Sequence, residues 1–192
     1  MSKATNDQKG FTLIESIIGI IILGFALLIL VTGVFSSASK SHQATYQSQA
    51  AALGHSIMTD ILSRQFDEQS DPNGGQYRCG EIISNIVISD CSTNLGSDTG
   101  ETSADTFNDV DDFIGCWGDA VQCTSGLTNY PLNQLIDPSS ADEYKNFTVE
   151  ITVAYADVDG SGDAITPYKK IEITLFAGNH AQYTFSAYRG NY

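Results

Sequence analysis

The hydrophobic pattern changes period along the chain. From Phe11 to Phe35 the sequence FTLIESIIGIIILGFALLILVTGVF is apolar on every side, and Glu15 is its single charge. As a helix these 25 residues would span roughly 37 Å, enough for a bilayer core of about 30 Å. A 192-residue chain has little material with which to cover such a helix on all sides in a soluble core. The run is also longer than the apolar part of a secretory signal, about 7–15 residues, and Ser36-Ser37-Ala38 is a poor cleavage match. A transmembrane segment over 11–35 is predicted. Residues 1–10, MSKATNDQKG, are polar; Lys3 and Lys9 favour a cytoplasmic N-terminus against the opposing pull of Lys40, which leaves the remainder exported.

Residues 36–66 switch to one apolar face. Tyr46, Ala50, Leu53, Ile57 and Ile61 recur at helical spacing, with Met58 and Leu62 beside them, and only Gly54 interrupts the helix formers. The spacing predicts that the helix continues through 36–66 and ends at the polar run Asp67–Gly75. At the other end, Phe147, Val149, Ile151, Val153 and Tyr155 alternate with smaller or polar residues, which predicts a strand over 146–155. Ile171, Ile173 and Leu175 predict a second strand over 170–176. Gly178-Asn179-His180 reads as a turn, and Tyr183 and Phe185 mark a third strand over 181–188. Tyr155, Tyr183, Phe185 and Tyr188 read as strand packing rather than a sugar-binding face. The expected class is α+β: a long helix packed on a small antiparallel sheet over 146–192, separated by a loop region over 67–145.

That loop region is acidic. The chain carries 9 Lys and Arg against 23 Asp and Glu, net −14, which argues against a nucleic-acid backbone or a lysine-driven membrane surface as partner. Between Asp67 and Asp112 eleven acids stand against one base, Arg78. Asn85–Ser89 is a short strand candidate, and 92–107 reads as loop. The densest stretch, Asn108-Asp109-Val110-Asp111-Asp112-Phe113, is expected to face solvent, with calcium binding and a basic partner as rivals. A second calcium candidate is Asp157, Asp159 and Asp163, spaced as the first, third and seventh ligands of a calcium loop. Tyr168 stands where the twelfth-position glutamate belongs, so an EF-hand is rejected and a polar hairpin end is preferred.

Cys79, Cys91, Cys116 and Cys123 all lie in the exported part. Their even number predicts two disulfides; three pairings are open, and proximity favours Cys79–Cys91 and Cys116–Cys123. No C-x₂₋₄-C spacing supports zinc. His42 and His55 read as surface or boundary positions. No nucleophile–base constellation, phosphate loop or metal-enzyme helix motif is present, so an enzyme is not expected.

Glu15 is the residue that points to a function. A carboxylate inside an apolar run is costly unless paired, and no base shares its helix face. Lys9-Gly10-Phe11-Thr12-Leu13-Ile14-Glu15 followed by the apolar run resembles the prepilin signature of type IV pilins and type II secretion pseudopilins. The resemblance implies a leader peptide over 1–10, cut by prepilin peptidase between Gly10 and Phe11. It also implies N-methylation of the new Phe11 amine and pairing of Glu15 with that amine on an adjacent subunit. The implied partners are other pilin subunits, the peptidase and an inner-membrane assembly platform. The absence of proline between Phe11 and Phe66 departs from many family members.

Arg64-Gln65-Phe66-Asp67-Glu68, Asp71-Pro72-Asn73-Gly74, Arg78-Cys79-Gly80 and Phe107–Phe113 are similar to the D-type minor pilins of mannose-sensitive haemagglutinin (MSHA) pili. That similarity implies a minor pilus subunit, held in the inner membrane before assembly and on the cell surface afterwards. A type II secretion pseudopilin and a pilus-tip adhesin are the alternatives.

Overall fold

The computed structural model describes residues 10, 12–71, 77–123, 126–158, 160–178 and 181–191, with 34–42 described by backbone alone. The expectations that rest on Phe11, Asp159, His180 and the leader residues 1–9 lie outside the described residues, as does the side chain of His42. The chain divides into two units, 1–45 and 46–192, and helix α1, Leu13–Ser63, contributes to both. In the first unit, Leu13–Gly33 is long and apolar enough to cross a membrane, and none of it is buried.

The second unit contains the core. The predicted face of α1 is buried as expected: Ala50, Leu53, Ile57, Met58 and Ile61 join the main hydrophobic cluster, and Tyr46 and Leu62 pack at its margin. Two short hairpin strands follow, β1 (Ile82–Ile83) and β2 (Ile86–Val87). The strand expected over Asn85–Ser89 is shorter than predicted because Ser84 and Asn85 take positive φ and form the hairpin turn. Then come β3 (Gly115–Trp117), β4 (Asn129–Tyr130), β5 (Phe147–Tyr155), β6 (Tyr168–Ala177) and β7 (Ala181–Gly190).

The five-stranded sheet has the order β4-β3-β5-β6-β7. The three C-terminal strands are antiparallel neighbours, with Ile151 opposite Ile173 and Ile173 opposite Phe185. The strands β3 and β4 were not anticipated. They are short and carry no run of alternation; they are held by a tight aromatic group instead. Trp117 stacks on Tyr130 at 4.5 Å, and Phe107 meets Phe113, Trp117 and Tyr130 edge-on at 5.2–6.1 Å.

Both disulfides join the local pairs. Cys79–Cys91 has Cα atoms 4.8 Å apart and encloses the β1–β2 hairpin, and Cys116–Cys123 has them 5.8 Å apart beside β3. Loop closure of this kind typically stabilises by about 2–4 kcal/mol. Asn191 donates to the Cys79 carbonyl at 3.2 Å and so fastens the end of the chain to the first bridge.

At Gly54 the helix lies close against the sheet. A Cβ there would lie 2.7 Å from the Phe185 ring and 2.9 Å from Leu175. The one glycine of the amphipathic stretch is therefore a packing requirement. Gly54→Leu is expected to destabilise the full chain by about 1–3 kcal/mol in urea unfolding, as overpacking does. Gly54→Ala should lose less, because about 1 kcal/mol of helix propensity offsets the displacement of the ring.

Candidate functional site

Two places carry chemistry. The first is the start of α1. Thr12 precedes the helix, and its carbonyl and hydroxyl both accept from the Glu15 N–H, at 3.1 and 3.4 Å. Thr12 thus caps the helix, and Glu15 stands at its third position, where a carboxylate meets the positive end of the helix dipole. Glu15 is exposed on the first turn, and Gly10 is exposed just before it. Each is open to a partner outside this chain.

The second place is a buried polar knot in the second unit. Lys169 lies on the inward face of β6 and is fully buried. Its ammonium donates to the Phe66 carbonyl at 2.7 Å, to Asp67 Oδ2 at 3.0 Å and, in closer contact, to Asp111 Oδ1. All three of its protons are engaged. The Phe66 ring lies 4.7 Å and the Tyr155 ring 5.4 Å from Nζ. Asp67 also accepts from the Ser92 N–H at 2.9 Å and the Gln69 N–H at 3.2 Å, while the Tyr155 hydroxyl donates to the Ser92 carbonyl at 2.8 Å.

These contacts set the titration of the knot. Burial alone would raise the Asp67 carboxyl, but the charge of Lys169 and the N–H groups of Ser92 and Gln69 hold it below its ordinary value. Burial and the charge of Asp67 push the Tyr155 phenol up.

The acidic stretch after Phe107 does not face solvent, and this corrects the expectation. Asp109, Asp111 and Asp112 are only 2, 2 and 1% exposed, with Val110 and Phe113 fully buried between and beside them. The carboxylates serve as local backbone acceptors. Asp112 Oδ2 takes the N–H groups of Asn108 and Asp109 at 2.9 and 3.0 Å; Asp109 Oδ1 takes that of Asp111 at 2.9 Å. Asp111 Oδ2 takes the N–H of Gly96 at 3.1 Å. A parallel bridge between Gln65 and Asp109 docks the loop on the end of α1. Burial, then the charges of Asp111 and Asp112, push the Asp109 carboxyl up to about 8. Burial and Glu101 push Asp112 up to about 7.

Of the hairpin calcium candidates, Asp157 and Asp163 are exposed, and Asp157 Oδ2 accepts from the Gly162 N–H at 3.1 Å. Sequence reasoning missed Lys169. The signal was present: extending the Ile171–Ile173–Leu175 alternation back by two puts Lys169 on the buried face.

A family model described as "Prokaryotic N-terminal methylation motif" matches residues 5–31. No curated protein and no solved structure matches the chain. That motif stands ahead of a pilin-like α+β fold, so the start of the chain is similar to that of type IV prepilins and pseudopilins. The motif implies processing by prepilin peptidase, assembly with other pilin-type subunits, and anchoring in the inner membrane before assembly.

Two outcomes follow for the knot. Lys169→Met leaves Asp67 and Asp111 buried without their cation, and urea unfolding of the full chain in detergent should show a loss of about 3–5 kcal/mol. The pH dependence has a definite sign. Asp109, facing Asp98, Asp111, Asp112 and Lys169, and Asp112, facing Glu101, bind protons more tightly folded than at their ordinary value of 3.8. Stability from these two groups is full below that value and is lost as pH rises through about 7 and 8. Asp67 acts oppositely, its contribution being lost as pH falls below its ordinary 3.8. Thermal melts in chelator should therefore decline from pH 5 to pH 9, and Asp109→Asn should flatten that decline.

Proposed function

We propose that this chain is a minor pilin of the MSHA type, incorporated into a surface attachment pilus or initiating its assembly. The observation that carries the reading is the start of α1, where an exposed carboxylate at Glu15 follows Gly10 and Phe11 in an otherwise apolar run. Peptidase cleavage after Gly10 exposes the Phe11 amine, which is then methylated. That amine pairs with Glu15 of a neighbouring subunit. The pairing removes two uncompensated charges from lipid and fixes the axial register between helices. The subunit resides in the inner membrane with its acidic domain in the periplasm, and reaches the cell surface as part of the filament. The similarity of the Arg64–Phe113 segments to MSHA minor pilins supports a pilus over a secretion pseudopilus.

Mass spectrometry of sheared surface filaments and of membranes from the native host tests this reading. The expected result is a chain beginning at methylated Phe11 in the filament fraction. Processed protein confined to membranes, together with a secretion defect in the deletion strain, would indicate the pseudopilin. Normal piliation with lost surface binding in a domain variant would indicate a tip adhesin. Glu15→Val should leave the protein in the membrane and reduce its incorporation at least tenfold, about 1.4 kcal/mol of lost pairing. Normal incorporation of that variant would sink the pairing step.

A further inference from the structure

Among the described residues, two groups of three carboxylates in the second unit share Asp109. In one, Asp67, Asp109 and Asp111 converge, and the ammonium of Lys169 supplies the positive charge. In the other, a carboxylate oxygen from each of Asp98, Asp109 and Asp112 lies within 4.8 Å of the others. Among the described residues no lysine or arginine forms an ion pair with any of these three. We propose that Asp98, Asp109 and Asp112 form a binding site for a divalent cation of the calcium type.

Clustering alone would not carry this; the state of Asp112 does. Its side chain is 1% exposed, and while Oδ2 receives two backbone N–H groups, buried Oδ1 has no N–H donor and the carboxyl meets another carboxyl, that of Glu101. A buried carboxylate oxygen without a donor is costly, and a cation satisfies it where no donor does. The neighbouring Asn108 repeats the feature. Its amide nitrogen donates to Glu101 Oε1 at 2.9 Å, and its buried Oδ1 has no donor. The ligand set is therefore carboxylate oxygen, and contains neither nitrogen nor sulfur. That is the preference of a hard cation such as calcium.

Access is built in. Asp98 is exposed while Asp109 and Asp112 are buried, so the site opens to solvent on one side. Asp98 is held by a tight turn in which its N–H donates to Glu101 Oε2 and its carbonyl accepts from the Glu101 N–H, each at 3.1 Å. A cation bound here would clasp the 96–101 turn to the 108–112 segment, and through the Gln65–Asp109 bridge to the end of α1.

The test is a set of thermal melts of the full chain in detergent at pH 7.5, in chelator and in 2 mM calcium. For a site of exported-module affinity, Kd on the order of 10⁻⁴ M, calcium should raise the wild-type Tm by about 3–8 °C. Asp112→Asn keeps an oxygen for the two backbone N–H groups but loses the charge. It should match or exceed the wild-type Tm in chelator and lose the calcium shift. Asp98→Asn, at an exposed position, should fold normally and cut the shift by at least half; it decides the matter if Asp112→Asn does not fold. Calorimetric titration should give one calcium per chain. An unchanged wild-type Tm would overturn the site. So would a shift that survives both variants and vanishes with Asp157→Asn, since the cation would then belong to the 157–163 hairpin.

Discussion

The second unit, 46–192, is organised around one buried ammonium. Lys169 reaches from the start of β6 to the Phe66 carbonyl, to Asp67 where the chain leaves α1, and to Asp111 in the acidic loop. Three segments distant in sequence are fixed by three hydrogen bonds from one atom. An arrangement of this kind gains little net stability over a well-packed apolar one, because desolvating the ions offsets most of their attraction. Its effect is geometric. With one lysine position there is one register of β6 against the end of α1, and the loop can close only where Asp111 meets Nζ. The apolar contacts along α1 supply most of the driving force, while the lysine selects among otherwise similar packings.

That division explains what could be read from the sequence. Periodicity reports burial of apolar faces, so the α1 face from Tyr46 to Leu62 and the strands β5, β6 and β7 were legible to within a few residues. Periodicity is silent about short strands held by their surroundings. Gly115–Trp117 and Asn129–Tyr130 pair across the sheet only because Phe107, Phe113, Trp117 and Tyr130 assemble a ring cluster from separate loops. Composition misled at Asp109–Asp112. A run of acids is normally solvated, yet here Val110 and Phe113 draw the segment inward and the carboxylates turn back onto its own N–H groups. A local count of charge could not reveal that the compensating cation lies on β6, 58 residues away. The motif at Gly10–Glu15 was legible for the opposite reason. Its chemistry depends on contiguous residues and needs no tertiary structure to be seen.

The two ends of the chain treat carboxylates by different physics. In the second unit an acid can be buried because the fold brings a lysine, backbone N–H groups or, at the proposed cation site, an external ion to it. In the apolar stretch of α1, among the described residues, the fold offers Glu15 only the helix terminus itself. Thr12 caps the first turn, and the dipole favours a negative charge at the third position by about 0.3–1 kcal/mol where it is exposed. That is far less than the penalty of placing a carboxylate in lipid.

The shortfall at Glu15 gives the proposed assembly step its direction. A subunit alone in the bilayer holds a carboxylate that its own helix compensates only in part, and a processed neighbour holds an amine in the same condition. Pairing satisfies both at once, and its strength grows as water is excluded. The same low dielectric that makes the isolated charge unfavourable makes a mispaired register unfavourable too, since a shift of one turn, about 5.4 Å, would leave both groups unmatched. Specific stacking of subunits can therefore be set by a single carboxylate near the helix start. The acidic domain behind it is then free to differ in sequence, provided that its own charges are settled internally.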